Sequence, residues 1–331
     1  MRAAVLPEPG KPLVVKEVPV PEPAPTQMLI KVLYASVNHR DVWIQKGLYP
    51  GIRPGVILGS DCAGIVEKVG SEVDSSWIGK KVIVNPGLEW GPHREVQSSS
   101  FHILGNPTDG TFAEYVVVPA ENVYQPPMHL SDEESAALPL AGVTAYRALF
   151  YRGKIGNGEM VLITGIGGGV ALMTLKMATT IAGNIIVTSS SREKINKALE
   201  LGASEGYLYT DDDWHKRLVK KWGGVDVVVD GASGPNIPKI IDILNPAGRL
   251  VIYGQTAGEI PQLSTAKLFW RHLNILGSTM GSPSDFEEML ELWNEHKLKP
   301  VIDRLYSLEE INEAFEWMDN AKQFGKIIIK I

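Results

Sequence analysis

A chain of 331 residues, 44% of them hydrophobic, is long enough to bury a sizeable core and to divide into two domains. Its formal charge of −6, with no extended basic run, argues against nucleic acid or an anionic membrane as the main partner, and no apolar stretch reaches membrane-spanning length. The single cysteine, Cys62, excludes an internal disulfide framework and any zinc site built from several thiolates, so a soluble, cytoplasmic protein is expected.

Residues 1–125 read as mostly β-structure. Arg2–Leu6, Met28–Tyr34, Gly64–Val69, Lys81–Val84 and Phe112–Val118 are short apolar or alternating runs separated by Pro, Gly, Asp and Asn. Many short strands without regular helices predict a closed or partly open barrel. The proline-rich Val18–Pro25 reads as an extended connector. Residues 85–111 are polar, with Trp90 and Phe101 as their main apolar anchors, and read as a surface loop. From about Leu130 the period changes. Ser131-Asp-Glu-Glu134 has the capping-box pattern of a helix start, and Ala136–Tyr151 continues helically with interruptions expected at Pro139 and Gly142. Strands and helices then alternate through Leu276, and near-continuous apolar strands such as Val225–Val229 predict a parallel, doubly wound α/β sheet covered on both faces. The tail carries a helix with Phe286, Met289, Leu290 and Trp293 on one face, a helix over Ser307–Ala321 and a last strand, Lys326–Ile331. Such a tail does not complete the sheet and is expected to return to the first domain.

The most informative stretch runs from Glu159 to Gly183. Met160–Thr164 reads as a buried strand, Gly165–Gly169 as a tight turn and Val170–Ala182 as a helix. Strand, glycine turn and helix are the parts a dinucleotide pyrophosphate needs, because glycines let the backbone approach and the helix start offers free N–H groups. The turn fits G-x-G-x-x-G imperfectly. Counting from Ile166 puts Gly168 at the close approach to phosphate and Ala171 at the last position, with Gly167, Gly169 and Val170 around them. At the end of the next strand an NAD site usually places a carboxylate. Here the chain reads Ser189-Ser190-Ser191-Arg192-Glu193-Lys194. Three hydroxyls with Arg192 and Lys194 suit a 2′-phosphate, which favours NADPH over NADH; Ser190 with Glu193 also has the look of a helix cap.

Tyr34-Ala-Ser-Val-Asn38-His-Arg-Asp41, Gly47-Leu-Tyr49-Pro, Gly59-Ser-Asp61-Cys-Ala-Gly64, Asp109-Gly-Thr-Phe-Ala-Glu-Tyr115, Leu138-Pro-Leu-Ala-Gly142-Val-Thr144-Ala-Tyr146, the glycine turn and Phe324-Gly-Lys326 together resemble the medium-chain dehydrogenase/reductase superfamily, above all its zinc-independent quinone oxidoreductase and enone reductase branches. The resemblance covers nearly the whole chain. It implies a GroES-like β-barrel catalytic domain at 1–128, completed by 280–331, and a Rossmann NADP(H)-binding domain at 129–279, with cofactor and substrate meeting between them. It also implies a homodimer that pairs Rossmann sheets edge to edge.

Zinc members of that superfamily would place metal ligands at Asn38, Ser60 with Asp61, and Leu140, and four structural cysteines in the 85–111 lobe. This sequence has neither set, and its seven histidines are scattered, so no metal ligands are assigned. Without a Lewis acid, hydride addition to a quinone or enone asks less of the protein than ketone reduction, since charge spreads over the product. The resemblance makes Asn38 the first candidate for contacting substrate. Tyr49 is read as a second donor or as packing, and Trp43 and Trp90 as apolar walls or packing. It further assigns His39, Thr144, the glycine turn and Lys326 to cofactor phosphates, and Gly254 and Thr279 to the nicotinamide region; Asp41 is read as structural. The alternatives are a zinc-dependent alcohol dehydrogenase and a non-catalytic, crystallin-like NADPH binder.

Overall fold

A computed structural model describes residues 1–331. The chain forms two compact units, Met1–Ala141 with Ser282–Ile331, and Gly142–Gly281. The first begins with β1 (Arg2–Val5), β2 (Val14–Glu17), β3 (Gln27–Val37), α1 (His39–Gln45), β4 (Asp61–Val69), β5 (Lys81–Val84), β6 (Gly87–Leu88), β7 (His102–Ile103), β8 (Tyr115–Pro119), β9 (Val123–Tyr124) and α2 (Asp132–Ala137). The division falls within α3 (Pro139–Tyr146). The second unit continues with β10 (Met160–Ile163), α4 (Gly169–Ala178), β11 (Asn184–Ser189), α5 (Arg192–Glu200), β12 (Glu205–Leu208), α6 (Trp214–Trp222), β13 (Val225–Asp230), α7 (Ile237–Ile243), β14 (Leu244–Ile252), α8 (Thr265–Trp270) and β15 (Asn274–Gly277). The chain re-enters the first unit with α9 (Pro283–His296), β16 (Ile302–Ser307), α10 (Ile311–Asp319) and β17 (Lys326–Lys330). No helix is long and apolar enough to cross a membrane.

The first unit is built on a sheet in the order β16-β17-β3-β4-β5-β9, with β8 also paired to β3. Its long strand β3 is the spine, antiparallel to β17, β4 and β8. Inward positions fill the core, among them Met28, Ile30, Val66, Phe112, Phe315, Ile327 and Ile329, and fully burying each such side chain contributes roughly 2–3 kcal/mol. Helix α2 packs on β3, β4 and β17. The compact unit therefore runs on past residue 128 to Ala141, because α2 is covered by strands of the first unit. The expected capping box is present: Ser131 Oγ accepts the Glu134 N–H and Glu134 accepts the Ser131 N–H. Pro139 separates α2 from α3, whereas Gly142 passes inside α3 without a break.

The tail returns to the first unit as expected, with Phe286, Met289, Leu290 and Trp293 buried on α9. It supplies two strands rather than one. Strand β16 pairs parallel to β17, and its half-exposed Ile302-Asp-Arg-Leu-Tyr-Ser has too little apolar alternation to stand out in sequence. The 85–111 segment is held more firmly than a surface loop: β6 pairs with β7, and Trp90 meets Phe101 edge-on at 5.2 Å. Trp90 is 2% exposed and its Nε1 donates to the His93 carbonyl, so it is a core residue of this lobe and not a substrate wall. Arg94 joins the lobe to α9 through Asp285 at 2.8 Å and Glu288.

The second unit is a six-stranded parallel sheet in the order β12-β11-β10-β13-β14-β15, the doubly wound Rossmann arrangement. The chain steps outward from β10 to β12, then crosses back to β13 and steps the other way. The strand order thus reverses between β10 and β13, where ligands bind in such sheets, outside the carboxyl ends of the strands.

Candidate active site

The glycine turn stands at this reversal point. Gly165 (φ +62°) and Gly167 (φ +122°) adopt backbone that side chains disfavour, and Gly168 is the N-cap of α4. A Cβ on Gly165 would meet nothing within 4 Å, and one on Gly168 only the Gly165 carbonyl at 3.7 Å. Those faces are therefore open to a phosphate, which is what close backbone approach requires. Gly169 and Val170 form the first turn of α4 and are half-buried. Asp230, at the end of β13, ties the two central strands together. Its Oδ2 accepts from Thr164 Oγ1 at 2.7 Å, and its Oδ1 accepts from the Ala232 and Ser233 amides. Burial pushes this carboxyl above its usual range, partly offset by these bonds.

Ser189 ends β11 with its Oγ accepting the Ser191 N–H at 3.1 Å, and no carboxylate replaces it. Ser191, one residue later than expected, caps α5 by accepting the Lys194 N–H. Ser190 and Arg192 are exposed. The aliphatic part of Lys194 lies across Gly167, within 2.8 Å of where a Cβ would stand, so the helix start and glycine turn do meet. Thr144 is buried on α3, with its hydroxyl 3.9 Å from Met280 Sδ. Gly254 follows β14 with a Cβ position closed off by the Gly231 carbonyl at 2.6 Å, whereas Thr279 is exposed just beyond β15.

In the first unit a buried polar cluster forms from three elements. Asn38 caps α1, Asp61 opens β4 and Lys326 opens β17. The Lys326 ammonium donates to Asn38 Oδ1 at 2.6 Å, Asp61 Oδ2 at 3.1 Å and the Val37 carbonyl at 3.2 Å. Asp61 Oδ2 also accepts from Asn38 Nδ2 at 2.9 Å and Ser36 Oγ at 3.0 Å, and its Oδ1 accepts the Leu140 N–H at 2.8 Å. Lys326 is 2% exposed. Its ammonium finds three acceptors inside this unit, in Asn38, Asp61 and the Val37 carbonyl. Asp61 and Lys326 are the buried charges of β4 and β17, whose other charges, Glu67, Lys68 and Lys330, are exposed, and charges buried in this way must be paired.

A second buried cation lies close by in sequence and was missed. Arg40, on α1, donates to Ser60 Oγ at 2.7 Å and to the Leu104 carbonyl at 2.9 Å. Its guanidinium also stands 5.3 Å from the centre of the Tyr49 ring, so Tyr49 has packing work of its own against Arg40 and the core. Asp41 is structural, as read: its Oδ2 accepts the Asn38 N–H at 2.8 Å and closes the capping box. His39 is exposed and Trp43 half-buried on the same helix.

These donors do not fit zinc. No three His, Cys, Asp or Glu side chains are grouped to hold a metal. At the positions the resemblance assigns to ligands, the Asn38 amide and the Leu140 N–H donate to Asp61, and an ammonium stands beside them.

Comparison with known proteins agrees with this architecture. The alcohol dehydrogenase GroES-like domain family matches residues 24–128, and the zinc-binding dehydrogenase family matches residues 169–295. The chain is 36% identical to the zinc-type alcohol dehydrogenase-like protein YogA of Leptosphaeria maculans, across 97% of this chain and 95% of that one. It is 29% identical to an acryloyl-coenzyme A reductase of Sulfurisphaera tokodaii, across 100% of both. A crystal structure of an NAD-dependent alcohol dehydrogenase superposes with a TM-score of 0.94 at 35% identity, covering 100% of both chains.

Proposed function

We propose, from the premise that this chain belongs to the medium-chain dehydrogenase/reductase superfamily, zinc-type alcohol dehydrogenase-like, and is an oxidoreductase, that it reduces a quinone or an α,β-unsaturated carbonyl with NADPH and without zinc. The observation that carries this reading is the bonding around Asp61. Its oxygens are occupied by the Asn38 amide, the Ser36 hydroxyl, the Leu140 N–H and the Lys326 ammonium. No Lewis acid is supplied by that donor set, which suits acceptors whose product charge is delocalised over an enolate or quinol and held by hydrogen bonds. Asn38, 7% exposed, is assigned to the acceptor's oxygen. The acryloyl group in one relative's name is itself an α,β-unsaturated acyl group.

When bound, NADPH would supply the hydride for a conjugated acceptor, and a proton from solvent would complete the two-electron reduction. The open faces of Gly165 and Gly168 at the start of α4 support pyrophosphate binding, and Ser189, Ser190, Ser191, Arg192 and Lys194 support a 2′-phosphate. The edge position of β15, with Phe269 and Trp270 exposed on the preceding α8, supports association with a second copy.

Similarity to an NAD-dependent alcohol dehydrogenase favours a second reading, NAD(H)-linked alcohol chemistry. One screen separates the two: oxidation of NADPH and NADH measured across quinones, enones and aldehydes. Turnover of a conjugated acceptor is expected, with kcat/KM for NADPH about tenfold or more above that for NADH, a difference of about 1.4 kcal/mol. Turnover confined to aldehydes, or preference for NADH, would refute the corresponding half of the reading.

A further inference from the structure

Lys326 precedes three isoleucines that are buried in the core, so its ammonium enters a place where an unpaired charge costs several kcal/mol. Pairing with Asp61 answers the charge, yet the shorter contact is to the neutral Asn38 oxygen, at 2.6 Å against 3.1 Å. The donor chemistry leaves one orientation for the amide. An ammonium only donates, so Oδ1 must face Lys326, and an ionised carboxylate only accepts, so Nδ2 must face Asp61. An ammonium on the amide oxygen draws electron density from the nitrogen and strengthens both of its N–H donors. One of these is bound by Asp61 Oδ2, and the structure gives the second no protein acceptor.

Resting on the reading above, we propose that Lys326 is a positioning residue for the reduction. It acts through Asn38, fixing the amide and strengthening its second N–H toward the substrate oxygen on which negative charge develops. The cation that this fold would otherwise take from a metal is thereby supplied by the chain's own final strand. Its effect belongs to the transition state, because the ground-state acceptor carries little charge on that oxygen.

The test compares wild type, Lys326→Met, Lys326→Arg and the double variant Lys326→Met/Asp61→Asn, using NADPH with the conjugated acceptor that wild type reduces best. The double variant leaves no buried lone carboxylate and so protects against simple misfolding; NADPH affinity and circular dichroism report integrity. The single and double Met variants are expected to lose on the order of 100-fold in kcat with KM within about threefold of wild type, the scale of one lost oxyanion donor. Lys326→Arg keeps the charge and is expected within about tenfold of wild-type kcat. A double variant with kcat within about threefold of wild type would show that Lys326 merely neutralises Asp61 and would overturn the proposal, as would a loss confined to KM. A wild type that reduces no conjugated acceptor overturns the functional reading itself and this inference with it.

Discussion

Asp41 shows how the neighbourhood of Asn38 is held at the level of single groups. Its carboxyl is fully buried, and one oxygen caps α1 while the other has no hydrogen-bond donor, the nearest cation being Arg40 at 3.8 Å. Burial pushes its pKa up to about 6, with Asp61 adding to the rise and Arg40, the Asn38 backbone N–H and Lys326 opposing it. A raised carboxyl binds its proton in the fold before it does in the unfolded chain, whose value stays near 4. Stability from this group is therefore gained as pH falls from about 7 toward 4 and lost as pH rises through about 6. Urea unfolding should show wild type gaining roughly 1 kcal/mol over Asp41→Asn between pH 7 and pH 5. A stability difference that does not change over that interval would show the carboxyl ionised throughout. At this scale the sequence was only half legible. Asn38 and Asp61 drew attention as positions where ligands were missing, but nothing local says that Lys326, on the last strand, arrives between them.

At the scale of elements, the glycine turn separates what the fold needs from what the cofactor needs. Gly168 has ordinary backbone angles and open space at its Cβ, so Gly168→Val should leave the fold intact while placing a side chain where phosphate must approach. Loss of NADPH affinity by about tenfold or more, with an unchanged unfolding midpoint, is expected from fluorescence titration and thermal melts. Unchanged affinity would place the cofactor elsewhere. Elements with strong signals were readable from residues alone: the Ser131 capping box, the buried run Val225–Asp230, and the apolar face of α9. Those missed are short or decided by tertiary contact. Helix α1 is seven residues long, although Asn38-x-x-Asp41 is a capping pattern that marks its start, and β16 exists because β17 offers it a partner. Helix α2 likewise joins the first unit by packing, which composition does not reveal.

For the whole molecule, two proposals make separable demands. A second copy seated along β15 predicts a mass of two chains in light scattering, and Trp270→Glu, which places a charge on a side chain 81% exposed, should shift that mass toward one chain without lowering the unfolding midpoint. A wild-type mass of one chain would remove the dimer and leave the chemistry untouched. The chemistry turns on metal. Family membership brings a fold that houses zinc in some relatives, while the donors gathered here around Asp61 are an amide, a hydroxyl, a backbone N–H and an ammonium. The most direct measurement is the zinc content of the protein after expression in zinc-supplemented medium and dialysis, read alongside its NADPH-dependent turnover of a conjugated acceptor. Turnover with far less than one zinc per chain is the expected result. One tightly held zinc per chain, with turnover lost on chelation and restored by zinc, would contradict the account.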